Sequence, residues 1–171
     1  MDEAPGPMDR GAPVAGGLLH RLGQRGCLRP DYGREEVTGQ VLLDASFWIA
    51  LRDSREPRHS QARQAAENLL RQRIRFVFTT FILAETHAYF SRSAAMRGQI
   101  LDDAQRNPAL RWEPVSHSDE TAAVALLRQQ RDKEYSLCDV ISFVVMRRLG
   151  ISRAASYDGH FRQFGGFEIV E

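Results

Sequence analysis

The sequence predicts an α/β domain with a mostly parallel sheet. From Gln40 onward, short β-rich runs alternate with segments of helical periodicity, the pattern of such a domain. An acid, Asp44, directly follows the apolar run Val41-Leu42-Leu43, and a second, Asp158, closes "AASYD", which puts charges at strand ends, where open α/β sheets bind ligands. The length of 171 residues suits one core. Taken in order, the expected strands are Val41 to Leu43, Ile74 to Phe78, Leu110 to Trp112, Arg153 to Ser156 and Phe167 to Val170. Between them the periodicity predicts helices near Phe47 to Leu51, His59 to Arg71, Phe81 to Ser93, Ala95 to Asn107, Ser118 to Arg131 and Leu137 to Leu149. Thr79 and Thr80 offer caps for the third of these helices and Ser136 for the last.

Residues 1–39 hold eight of the thirteen glycines and four of the seven prolines, with only Gly17-Leu18-Leu19 to bury. That composition predicts a disordered N-terminal tail ahead of a domain spanning 40–171. Net charge is +1, so no global field announces nucleic acid or membrane, and any basic surface is local. All but one of the 23 basic residues are Arg, Lys133 being the exception, a bias that suits phosphate contacts and equally reflects codon usage. Cys27 and Cys138 lie far apart, which excludes a disulfide framework or zinc knuckle and points to reducing cytosol. No apolar run approaches the roughly 18 residues that span a bilayer, and the acidic start at Asp2 and Glu3 does not resemble a secretion signal.

Four acids stand at element ends. Asp44 and Asp158 follow strands, Glu85 falls in the second turn of its helix among Ile82, Leu83, Ala84 and Ala88, and Asp139 lies three places after Ser136 in the first turn of an apolar helix. Each also has a purely structural reading: caps at Asp44 and Asp158, a capping box at Asp139, an ion pair of Glu85 with an arginine such as Arg92. Jointly, carboxylates gathered at one sheet edge repel and raise one another's pKa unless a cation neutralises them, so the set implies a metal. Oxygen donors without an accompanying His or Cys cluster select Mg²⁺ or Mn²⁺ over zinc. Hydrolysis of a nucleic-acid backbone, with water activated by one or two ions, follows from such a site.

In order along the chain, "LLDASFWIAL", "HSQA", "FTTFILAETHAYF", "SLCDVISFVVMRRLGI" and "ASYDGHF" resemble a PIN domain of the VapC-like kind, over about Val41 to Val170. The resemblance implies a three-layer α/β/α sandwich and a metal-dependent nuclease acting on RNA. It maps the family's acids onto Asp44, Glu85, Asp139 and Asp158, and its accompanying hydroxyls onto Ser46 and Ser136. It further implies a toxin held inactive by an antitoxin encoded beside it, self-association as a homodimer and a cytoplasmic location. The long tail departs from the family's compact start.

Rival chemistries fit less well. A haloacid-dehalogenase-like phosphatase needs an acid two places after the first, where Ser46 stands, and a phosphoacceptor receiver needs a late strand-end lysine, whereas Lys133 lies between helices. The alternative of another class is an RNA-binding or protein-interaction module that kept the fold without turnover. His59 reads as a helix-start residue, His87 as structural or solvated, and His160 as a candidate substrate contact beside Asp158. Phe47, Trp48, Phe81, Tyr89, Phe90 and Phe143 read as core or dimer surface, and Arg147 and Arg148 as cations complementing a helix C-terminus. Arginines 55, 58, 92, 97 and 162 are candidates for a phosphate track.

Overall fold

The structure, a computed structural model, describes residues 37–171; the tail expected over 1–39 lies outside these except for its last three residues. Strand β1 (Gly39–Leu43) leads to α1 (Ala45–Arg52) and α2 (His59–Arg71), then β2 (Ile74–Thr79), α3 (Thr80–Tyr89), α4 (Ala94–Arg106) and β3 (Leu110–Glu113). The second half runs α5 (His117–Gln129), α6 (Leu137–Leu149), β4 (Arg153–Ala155), α7 (Gly159–Phe164) and β5 (Glu168–Val170). Among the described residues the sheet begins at Gly39, which is already paired to Ile74.

The sheet is parallel throughout, in the order β3-β2-β1-β4-β5. From β1 the chain steps outward through β2 to β3, then returns across β1 to lay β4 and β5 on the other side. Right-handed crossovers in opposite directions put their helices on opposite faces, which yields the three layers. The reversal also makes β1 and β4 the switch point, whose carboxyl ends border a crevice. Val41, Leu42, Leu43, Phe76, Val77 and Phe78 are all fully buried, as central parallel strands covered on both faces must be.

Each face has its own aromatic seam. Trp48 of α1 meets Phe78 edge-on at 5.1 Å, and Phe78 packs on Trp112 at 5.7 Å. On the α6 side, Phe143 contacts Phe161 at 5.0 Å and stacks on Phe164 at 4.1 Å. These contacts confirm Phe47, Trp48, Phe90 and Phe143 as core, whereas Tyr89 is exposed. Helix α6 ends on Gly150 at φ 67, where Gly150 N–H reaches Arg147 O and Ile151 N–H reaches Met146 O, a left-handed closure suited to glycine.

Three expectations need correction. Helix α3 stops at Tyr89, short of Ser93, because Ser93 instead caps the next helix by accepting from Met96 N–H. The stretch after Asp158, absent from the expected helices, forms the six-residue α7, too short to show helical periodicity. Arg148 is also more than a dipole complement: it binds Glu113 at 2.9 Å and Asp119 at 2.9 Å, tying α6 to β3 and α5.

Candidate active site

The first acid sits where β1 and β4 diverge. Asp44 follows β1 directly, its N–H donates to Ala155 O of β4 at 3.0 Å, and its extended backbone makes it the N-cap of α1. Ser46 N–H at 3.2 Å, Ser46 Oγ at 2.5 Å and Ser156 Oγ at 2.9 Å all donate to Asp44 Oδ2. Despite these bonds, burial pushes the Asp44 carboxyl up to about 6, with the Ser46 and Ser156 bonds pulling the other way. Among the described residues no basic side chain forms an ion pair with it. A buried acid held by hydroxyls and backbone N–H groups, without a cation, is costly to ionise.

Asp139 lies at the start of α6. It completes a capping box, accepting from Ser136 N–H at 2.8 Å while its own N–H donates to Ser136 Oγ at 3.1 Å. Asp158 N–caps α7 by accepting from His160 N–H at 2.8 Å, and its own N–H donates to Ser156 Oγ at 3.0 Å. Ser156 therefore touches both strand-end acids. His160 Nδ1 lies 3.0 Å from Asp139 Oδ2 and 3.5 Å from Asp158 Oδ1. Asp139, Asp158 and His160 each offer a ligand atom within 4.8 Å of the others.

Glu85 approaches from α3. It is exposed, so the costly apolar burial expected from its neighbours does not arise: Ile82 and Leu83 turn inward, leaving Glu85 at the rim. Its link to the other acids runs through Cys138. Burial first, then a hydrogen bond to Glu85 and the negative charges of Asp44 and Asp139, push the Cys138 thiol well above its ordinary range.

Two residues were underestimated in the sequence. His160, expected to touch substrate if anything, joins the acids and corrects the picture of an all-oxygen set without histidine. Ser156 was assigned only to a strand end, yet it bonds across 112 residues to Asp44; "SYDGH" carries the cap spacing that makes both contacts, but nothing local names the distant partner. Ser46 and Ser136 are each hydrogen-bonded to the neighbouring acid, Asp44 and Asp139. His59 Nδ1 lies 2.8 Å from Ala50 O and secures a loop. A third strand-end acid, Glu113, is engaged by Arg111 at 2.7 Å and Arg148, and so differs from Asp44 in having its charge already matched.

A parallel sheet with acids gathered at its switch point defines a PIN-type nuclease architecture, and the PIN domain profile matches residues 41–166; the chain belongs to that family. Among individual proteins, it is 32% identical over 131 residues to the "23S rRNA-specific endonuclease VapC20" of Mycobacterium tuberculosis, covering 75% of this chain and 97% of the relative. The crystal structure of Mycobacterium tuberculosis VapC20, described as a Sarcin-Ricin loop cleaving toxin, superposes with a TM-score of 0.65 at 30% identity, over 77% of this chain and 99% of that one. VapBC2 from Rickettsia felis, bound to a DNA fragment from their promoter, shares the fold at a TM-score of 0.58 and 13% identity, over 76% of this chain and 96% of the other. No described helix is long and apolar enough to cross a membrane.

Proposed function

We propose that the chain is a metal-dependent endoribonuclease of the toxin type, hydrolysing RNA and restrained by a cognate antitoxin, with self-association as part of the same reading. The observation that carries it is Asp44: a buried acid without a cationic partner among the described residues, at the switch point beside a cluster of further acids. The donor set fits a hard divalent cation. Asp44, Glu85, Asp139 and Asp158 are the residues that would hold Mg²⁺ or Mn²⁺, directly or through water. Such an ion supplies an activated water and charge stabilisation at the leaving oxygen.

The chain's own residues prepare that site. Ser46 and Ser156 fix Oδ2 of Asp44, and the Ser136 backbone fixes Oδ2 of Asp139. His160 spans Asp139 and Asp158 and holds a proton at Nδ1 between them when that nitrogen is protonated. The paired ends of β1 and β4 bring Asp44 and the residues leading to Asp158 side by side. The endonuclease activity of the curated relative and the RNA-cleaving toxin activity of the structural one support this reading, since the chain covers nearly their whole length.

Incubation with RNA in Mg²⁺ or Mn²⁺, against an EDTA control, tests it: cleavage appears only with metal and falls at least a hundredfold in Asp44→Asn. RNA binding without cleavage under all metal conditions would favour the binding module instead. Expression alone and beside the neighbouring small gene tests the toxin reading, which expects growth arrest relieved by co-expression.

A further inference from the structure

Beside the acid site, and sharing Ser46 with it, a surface cleft of about 370 Å³ opens between α1, the α1–α2 connection and the turn after β4. Ile49 lies on one side, Glu56, Pro57 and Arg58 on the other, and Tyr157 borders it. Tyr157 stacks on buried Phe47 at 5.4 Å with planes 19° apart, and the Arg58 guanidinium lies over its ring at 4.8 Å. The Arg58 side chain is 49% exposed, so the outer layer of this aromatic-cation stack faces solvent.

The loop carrying Glu56 and Arg58 is held in shape by its own bonds. Asp53 accepts from Arg55 N–H at 3.0 Å, Nε at 2.9 Å and a terminal nitrogen at 2.8 Å, and Glu56 N–H donates to Asp53 O at 3.1 Å. The Arg55 guanidinium holds the Asp53 carboxyl down at about 2. Tyr89 donates its hydroxyl proton to Glu56 Oε1 at 2.7 Å, and that bond pushes the Tyr89 phenol up to about 12. Glu56 is thus fixed at the cleft by a donor from another helix.

We propose that the cleft is a base-binding subsite, taking one unpaired RNA base next to the scissile phosphate, layered on the Tyr157–Arg58 pair, with the Glu56 carboxylate accepting from an exocyclic amino group of that base. The subsite rests on the ribonuclease reading for its position relative to a phosphate. Proteins that read single-stranded RNA stack splayed bases on aromatic rings and Arg planes, and both are layered here. A carboxylate only accepts; an exocyclic amino group offers it N–H donors at the base edge, where uracil presents carbonyl oxygens flanking its single N3–H, so bases bearing an amino group are favoured over uracil. Ser46 joins the two sites: its hydroxyl donates to Asp44 and accepts from Tyr157 N–H at 2.9 Å, which puts the stack one short step from the acids.

The test uses the full chain and oligoribonucleotides in which each nucleotide around the cut is made abasic or exchanged in turn. One position should show about a tenfold or larger loss of kcat/KM when its base is removed, and uracil there should be cut more slowly than adenine, cytosine or guanine. Arg58→Ala, at an exposed side chain, and Tyr157→Ala should lose that discrimination, each cutting intact and abasic substrates at rates equal to one another; Tyr157→Phe should keep it, and Glu56→Gln should narrow the gap to uracil. Equal cleavage of intact and abasic substrates by the wild type, or undiminished discrimination in Arg58→Ala and Tyr157→Ala, overturns the subsite and leaves the ribonuclease standing. If the wild type cuts no RNA, anisotropy of the labelled oligonucleotides on the Asp44→Asn variant decides. Base-dependent binding lost in Arg58→Ala added to that variant upholds the subsite without the ribonuclease, and base-independent binding, or none, refutes it.

Discussion

Asp44 is the residue whose energetics are most exposed to test. Its folded-state pKa, about 6, lies above the ordinary carboxyl value of 3.8, so the folded chain binds this proton more tightly than the unfolded one. Its contribution to stability is therefore fully present below about pH 4, is lost as pH rises toward 6, and at neutral pH the ionised group opposes folding by up to about 3 kcal/mol. Asp44→Asn in EDTA at pH 7.5 should raise stability by about 1–2 kcal/mol, less than the full amount because an amide oxygen replaces only one of two acceptors. Urea unfolding from pH 4 to 8 checks this, and a variant less stable than the wild type across that range would refute it. At this scale Asp44, Asp139 and Asp158 were legible because each closes a strand or opens a helix. Ser156 and His160 were not, since their partners are set by packing between β1, β4, α6 and α7.

Among the elements, α6 combines structure and site most tightly. Its first turn places Asp139 by a capping box and its last turn anchors Arg148 to β3 and α5. Ser136→Ala removes the acceptor for Asp139 N–H and should cost about 1 kcal/mol of stability, read as a lower urea midpoint with an unchanged slope. The Ser136 N–H that holds the Asp139 carboxylate remains in this variant, so cleavage should fall with the folded fraction and no further. A larger loss of cleavage would place the Ser136 hydroxyl itself in the site. The helix boundaries of α2 and α6 were readable from periodicity and caps, whereas α7 was hidden by its brevity and the end of α3 by a cap belonging to its successor. Glu85 was read as buried because its neighbours in sequence are apolar; on the helix surface only Ile82 and Leu83 of those face the core.

For the whole molecule, the strand order decides what the acids can do. A sheet that reverses direction about β1 brings residues 44, 139 and 158 to one edge, although nothing local in the sequence states which strands are neighbours. Alternation of strands and helices made the parallel sheet legible, and the ordered PIN-like motifs supplied the layers; the switch point itself appears only in the pairing of β1 with both β2 and β4. The central claim is that this edge holds a divalent cation between carboxylates from distant parts of the chain. Anomalous diffraction from crystals grown with Mn²⁺ tests it most directly. The account predicts a peak bonded to Asp139 and Asp158, with Asp44 and Glu85 reaching it directly or through water, and no such peak in Asp139→Asn. Manganese absent from this edge at saturating concentration, or bound only to acids elsewhere, would contradict it.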